Sequence, residues 1–277
     1  MILEKIDLYE YFRTERTEEI KGFLHAYRHG DMTEMPKRRR PALLLFPGGS
    51  YLHVAERESE PPALWYFGKG FDVFILEYDT APLHYPTQIV QAGMAMLYLR
   101  REGKELNLND KIAALGFSAG GHLCGCISFL WDDPALSDSF GKECEKIRPE
   151  ASIFAYPVVT SRSEFCNRRT FENFCKDIVP YENYSLERKV RPCAPPCFLW
   201  TTSADELVPV QNSVLLYRAL ISAGVSAEFH AFEKGSHGMA DCSAETARIP
   251  MGIAGHARHW LELSAEFLAG HEIFFGD

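Results

Sequence analysis

The run Gly116-Phe117-Ser118-Ala119-Gly120-Gly121 encloses a serine in a Gly-x-Ser-x-Gly pattern, directly after the apolar stretch Ile112–Phe117 and directly before a helical pattern. A tight strand-to-helix turn of this kind holds the serine in a strained conformation with its hydroxyl raised over the sheet edge. The flanking Gly116 and Gly120 leave room for backbone that crosses close to the turn. At a helix start, free N–H groups and the helix dipole favour developing negative charge. The chemistry these features suit is acyl transfer through a covalent intermediate on Ser118. A chance match in a glycine-rich turn is the bland alternative, and the strand and helix on either side weigh against it.

Such a serine needs a base and an orienting carboxylate, and with an elbow nucleophile they follow in the order serine, acid, histidine. Trp200-Thr201-Thr202-Ser203-Ala204-Asp205 places a carboxylate in the loop after one apolar run. Phe232-Glu233-Lys234-Gly235-Ser236-His237-Gly238 places a histidine in the loop after the next. Asp205 could fix the His237 tautomer by accepting from one ring nitrogen while the other takes the serine proton. The competitors are weaker. Glu206 should point elsewhere, Asp241 follows the histidine, and His230 lies within a strand pattern. His122 reads as structural, and His53 as a surface or pocket-lining residue.

An acyl-transfer site also needs donors for an oxyanion. Phe46-Pro47-Gly48-Gly49-Ser50-Tyr51 follows the apolar run Ala42–Phe46, and consecutive glycines free backbone N–H groups to converge on one point. Gly49 and Ser50 are the candidate donors on this side and Ala119 on the other. Tyr51, Phe117 and Trp200 are candidate aromatic walls for substrate, with core packing as the commoner fate of such residues.

Positioning these residues requires a sheet. Ala42–Phe46, Val73–Leu76, Ile112–Phe117, Ile153–Tyr156, Cys197–Thr201 and Ala227–Phe232 read as strands, several of them apolar throughout, as in a parallel sheet covered on both faces. Thr87–Glu102, Gly121–Leu130, Gln211–Ala223 and Gly255–Leu268 read as helices, with Gly224 as a C-cap. The alternation predicts a doubly wound α/β fold in which the carboxyl ends of the strands carry the site. Residues 1–40 read as an N-terminal extension packing on a domain of residues 41–277. Residues 159–196 interrupt the rhythm and are expected to form a cap or lid.

Composition bounds the function. With 277 residues, 46% hydrophobic and 24% charged, the chain is an ordinary globular protein able to bury a full core. A formal net charge of −9 disfavours nucleic-acid or anionic-membrane binding. No apolar run approaches a membrane span, and the charged N-terminus lacks a signal-peptide pattern, so a cytoplasmic location is expected. The eight cysteines show no paired Cys-x-x-Cys spacing and are expected to be reduced thiols. No metal, organic cofactor or macromolecular partner is implied, and the oligomeric state stays open.

Together these residues resemble the α/β-hydrolase superfamily, and within it the small serine carboxylesterases of the acetyl-xylan-esterase-like and hormone-sensitive-lipase-like groups. Pro47-Gly48-Gly49-Ser50-Tyr51 is similar to their His/Pro-Gly-Gly-Gly-aromatic segment. Glu77-Tyr78-Asp79-Thr80-Ala81-Pro82 with Tyr85-Pro86 is similar to their Tyr-Arg-x-Ala-Pro…Tyr-Pro segment. Ser118–Leu123, Pro195–Trp200, Asp205, Val208-Pro209 and His237-Gly238 match the elbow, acid and base segments, and the likeness spans roughly residues 41–270. Two departures stand out: Ser50 in place of the third glycine, and Asp79 where the family has arginine. The resemblance implies an α/β-hydrolase fold with a short cap and hydrolysis of short acyl esters, acetylated sugars among them. A prolyl-oligopeptidase-type peptidase and a catalytically silent binding protein on the same fold are the alternatives.

Overall fold

The computed structural model describes residues 1–249 and 253–275. In chain order the main elements are β1 (Ile2–Asp7), α1 (Leu8–Phe12), β2 (Phe23–Arg28), β3 (Arg40–Phe46), α2 (Glu60–Gly68), β4 (Asp72–Glu77), α3 (Thr87–Glu102), β5 (Leu108–Phe117) and α4 (Ser118–Phe129). Then come α5 (Pro134–Phe140), β6 (Ala151–Ala155), α6 (Arg168–Cys175), β7 (Cys197–Thr202), α7 (Gln211–Ser222), β8 (Ala227–Phe232) and α8 (Trp260–Gly270). The sheet has eight strands in the order β1-β2-β4-β3-β5-β6-β7-β8. From β4 to β8 every neighbouring pair is parallel, while β1 and β2 add an antiparallel edge.

The apolar runs became strands because both faces of the sheet are covered. Along β3, Leu44 and Phe46 pack with Ile89, Met96, Ala119 and Leu123 of α3 and α4. Leu43 and Leu45 face the other way, toward Tyr66 of α2 and Trp260 and Leu268 of α8. A strand buried on both faces has no polar position to alternate with, which is why these runs are continuous.

Residues 1–40, expected as an extension packed on the domain, instead carry β1 and β2 into the same sheet. Their outer position explains why periodicity did not reveal them. β1 is exposed over most of its length and β2 alternates buried Leu24 and Ala26 with half-exposed neighbours, so neither makes an apolar run. Asp79 ties this edge to the domain: its Oδ2 accepts from the Lys21 amide at 2.8 Å and from Gln91 Nε2 of α3 at 2.6 Å. The departure from the family arginine therefore has a structural counterpart here.

The segment 159–196 contains α6 and two short 3₁₀ turns, Tyr181–Tyr184 and Leu186–Arg188. It is anchored at its base by Asn212 of α7, whose Oδ1 accepts from the Val159 and Thr160 amides. The eight cysteines are free thiols, all buried except half-buried Cys166 and exposed Cys193. Among the described residues no helix is long and apolar enough to cross a membrane.

Candidate active site

The chain leaves β3 to form β4 on one side and returns to form β5 on the other, so the direction of winding reverses between β3 and β5. Phe46 and Gly116 are register partners across that switch, which sets the loop after β3 beside the turn after β5. Open α/β sheets bind ligands at such a point.

Ser118 stands at the first position of α4 with φ +52°, a left-handed backbone that a non-glycine residue adopts at a cost of order 1–3 kcal/mol. Close backbone packing enforces the turn. A Cβ on Gly116 would overlap the Gly120 carbonyl, and one on Gly120 would overlap the carbonyls of Phe46 and Pro47. The Ser118 carbonyl accepts from the Val158 amide at 3.0 Å, locking the turn to the strand beside it.

Ser118 Oγ lies 2.7 Å from His237 Nε2, and His237 Nδ1 lies 2.6 Å from Asp205 Oδ2. The other Asp205 oxygen accepts from the Leu207 and Val208 amides at 3.0 and 2.9 Å, so the carboxylate is fixed by its own loop. An acceptor at Oδ2 requires the proton on Nδ1, which leaves Nε2 free to accept the serine hydroxyl. Ser118 is only 6% exposed and Asp205 7%, so this chain of hydrogen bonds is shielded from bulk water. Tyr156, at the end of β6, packs edge-on against the His237 ring with centroids 5.0 Å apart. The arrangement can deprotonate Ser118 as it attacks and return the proton to a leaving group.

The glycine-rich loop after β3 runs left-handed through Gly49 (φ +121°), Ser50 (+56°) and Tyr51 (+55°). A Cβ on Gly49 would overlap the His53 carbonyl, so this position demands glycine twice over. The Ser50 carbonyl accepts from Asn173 Nδ2 of α6 at 2.8 Å. At the other end of that helix, Asn167 Nδ2 donates to the Leu207 carbonyl at 3.1 Å, so α6 bridges the loop after β3 and the loop holding Asp205. Among the described residues, the amides of Gly49, Ser50 and Ala119 have no acceptor, which leaves them able to meet an oxyanion.

The structure separates the other candidates. Glu206 is exposed, Asp241 accepts from Ser243 and Thr246 within its own loop, and His230 pairs with Glu228 on β8 at 2.6 Å. His53 is exposed on the loop after β3, where its carbonyl packs closely against Gly49. His122 is fully buried: its Nε2–H donates to the Tyr184 carbonyl and its Nδ1 accepts from the Tyr51 hydroxyl, both at 2.9 Å. Burial pushes its pKa down to about 4.

The aromatic walls need correction. Tyr51 and Phe117 are both 0% exposed, so neither side chain offers surface to a substrate. Tyr51 is held by His122 and packs on Phe174, whereas Phe117 packs on Tyr156 and Trp260. Trp200 is likewise buried and stacks on Trp260. In each case core packing takes up a residue adjacent to the site, Tyr51 in the layer of α3 and α4 and Phe117 and Trp200 in the layer of α2 and α8. The apolar side chains that these loops do expose include Leu52, at 42%, and Leu207, at 65%.

Three residues near the site carried no motif: Arg57, Glu58 and Tyr156. Glu58 is 1% exposed and accepts from the Gly48 amide at 2.8 Å and from the Tyr156 hydroxyl at 3.0 Å. Glu58 stands in the charged run Glu56-Arg57-Glu58-Ser59-Glu60, which reads as solvated surface, so residue type gave no signal of its burial.

Known proteins resemble this chain over most of its length. The BD-FAE family model matches residues 31–159 and the prolyl oligopeptidase family model matches residues 157–251. The chain is similar to endo-1,4-beta-xylanase B of Butyrivibrio fibrisolvens, 31% identical over 231 residues that make up 78% of this chain and 34% of that protein. It is similar to an acetylxylan esterase of Xylanibacter ruminicola, 26% identical over 75% of this chain and 42% of the relative. The chain thus spans between a third and a half of the length of these relatives. Among solved structures, the acetyl ester-xyloside bifunctional hydrolase from Caldicellulosiruptor lactoaceticus superimposes with a TM-score of 0.83 and 29% identity, covering 98% of this chain and 97% of that one.

Proposed function

From the premise that the chain belongs to the α/β-hydrolase superfamily, we propose that it is a serine carboxylesterase acting on short acyl esters, acetylated saccharides among them. The observation that carries this reading is the continuous hydrogen-bonded line from Ser118 Oγ through His237 to Asp205.

In this mechanism Ser118 Oγ attacks the ester carbonyl carbon while its proton passes to His237 Nε2. Asp205 stabilises the imidazolium and keeps the ring in register. The carbonyl oxygen becomes an oxyanion held by the amides of Gly49, Ser50 and Ala119. Collapse breaks the bond to the alcohol, which leaves with the proton from Nε2, and Ser118 carries the acyl group. Water then attacks that acyl group, gives a proton to His237, and releases the carboxylic acid with Ser118 restored.

The acyl and alcohol preferences draw support from the acetylxylan esterase and acetyl ester-xyloside hydrolase relatives. The eight free thiols suit a reducing, cytoplasmic compartment. The test is hydrolysis of p-nitrophenyl acetate, butyrate and octanoate, and of acetylated xylo-oligosaccharides, by the wild type and Ser118→Ala. Acetate turnover that exceeds octanoate turnover and disappears in the variant supports the reading. Equal rates in the two proteins, or a preference for octanoate, contradict it.

The match of residues 157–251 to the prolyl oligopeptidase family favours one second reading, a peptidase. Faster turnover of an aminoacyl amide than of the matching ester would select it.

A further inference from the structure

Glu58 and Arg57 lie on neither the elbow, the acid loop nor the histidine loop, yet they contact both the glycine-rich loop and the histidine loop. The Glu58 carboxylate is shared by two donors from different parts of the chain. Oε2 takes the Gly48 amide at 2.8 Å, and Oε1 takes the Tyr156 hydroxyl at 3.0 Å. That hydroxyl in turn accepts from the Ala240 amide at 2.9 Å, three residues beyond His237. Arg57 makes a second link to the same loop, its Nε donating to the Gly238 carbonyl at 2.9 Å, and its guanidinium sits 3.9 Å from Glu58 Oε1. The carboxylate is thus tethered on one side to the glycine-rich loop and on the other to the loop that carries His237.

The space around Gly48 shows how tight the coupling is. A Cβ there would lie 2.6 Å from Glu58 Oε2 and 2.9 Å from the Ser118 Cβ, so Gly48 is wedged between this carboxylate and the serine. With its N–H committed to Glu58, the backbone must turn at Gly48, and that turn presents the next amides, of Gly49 and Ser50, to the site. Among the described residues no third hydrogen-bond donor takes up the Glu58 oxygens, and the Arg57 guanidinium stands 3.9 Å away. A buried carboxylate kept next to a site without stabilising it through a full ion pair needs a reason, since removing its partners would leave a large desolvation cost.

We propose that Glu58 is a positioning residue that couples the oxyanion-binding loop to the histidine loop through Gly48 and Tyr156, with Arg57 as a second clasp on Gly238. The proposal rests on the serine-esterase reading above. Its consequence is that loss of the coupling misplaces the oxyanion donors and His237 together. The damage falls on the transition state and spares ground-state binding.

Glu58→Gln and Tyr156→Phe, alone and combined, test it with p-nitrophenyl acetate and with phenylboronic acid as a tetrahedral analogue. The phenylalanine variant keeps the ring against His237 and decides the matter if Glu58→Gln does not fold. Each single variant should lower kcat by about 10- to 100-fold with KM within about 2-fold, and weaken boronate binding by the same factor. The double variant should be no worse than the poorer single one, because both break one link. Single variants with wild-type kcat, losses confined to KM, or fully additive losses overturn the proposal. An active wild type with unaffected variants defeats this inference alone, whereas an inactive wild type defeats the esterase reading and this inference with it.

Discussion

Phe46 of β3 and Gly116 of β5 are register partners in a parallel pair, two residues short of Gly48 and Ser118. That single pairing brings the glycine-rich loop alongside a serine in left-handed backbone. The remaining parts of the site arrive from the next strands of the same sheet, Asp205 after β7 and His237 after β8. The sheet order therefore assembles from distant sequence what no local segment could hold.

The Asp205–His237 contact should control the tautomer. In Asp205→Asn the side-chain oxygen can still accept from Leu207 and Val208. Its amide NH₂ would then face Nδ1, shifting the ring proton to Nε2 and depriving Ser118 of its base. Turnover of p-nitrophenyl acetate should fall about 10⁴-fold with folding largely retained. Activity within tenfold of wild type would contradict the assignment.

Gly49→Ala should be severely destabilising, by at least about 3 kcal/mol, because it combines a positive φ with overlap on the His53 carbonyl. Gly30→Ala is the control: nothing lies within 4 Å of its added methyl, and stability should change by less than about 0.5 kcal/mol. Urea midpoints of the two variants check the contrast.

His122 should make the fold acid-sensitive. Its pKa falls from 6.5 to about 4 through burial, so the unfolded chain takes up the proton first as pH drops. The neutral buried ring supports the fold fully above pH 6.5, and that support is lost progressively down to about pH 4. The loss amounts to about 3 kcal/mol, with no further decline from this group below that. Unfolding free energies at pH 7, 5 and 4, compared with His122→Gln, should show a shallower pH slope in the variant. Parallel slopes would count against it.

Asp79→Ala should loosen the antiparallel edge. It removes the acceptor for the Lys21 amide and for Gln91 Nε2, at about 1–2 kcal/mol. Hydrogen exchange should quicken first in Phe23–Arg28, with protection in β5 unchanged. Uniform loss of protection across the sheet would contradict a local role.

The parts of this molecule legible in sequence share a physical cause. Strands β3 to β7 are buried on both faces over their apolar stretches, so burial wrote continuous apolar runs, whereas the edge strand β8 is mostly half-exposed. Ser118, Asp205 and His237 stood out because each sits in a loop whose chemistry is constrained. β1 and β2 were hidden by their exposed, alternating faces. Tyr51 and Phe117 misled because residue type says nothing about direction: one packs into the layer of α3 and α4 and the other into the layer of α2 and α8. Glu58 and Tyr156 meet across 98 positions of sequence, a contact that only the folded sheet creates.

The most direct measurement of the central claim is reaction of the folded protein with a fluorophosphonate, followed by peptide mapping of the adduct. The account requires stoichiometric labelling at Ser118, slowed drastically in His237→Asn. Absence of labelling, or an adduct on another residue, would contradict it.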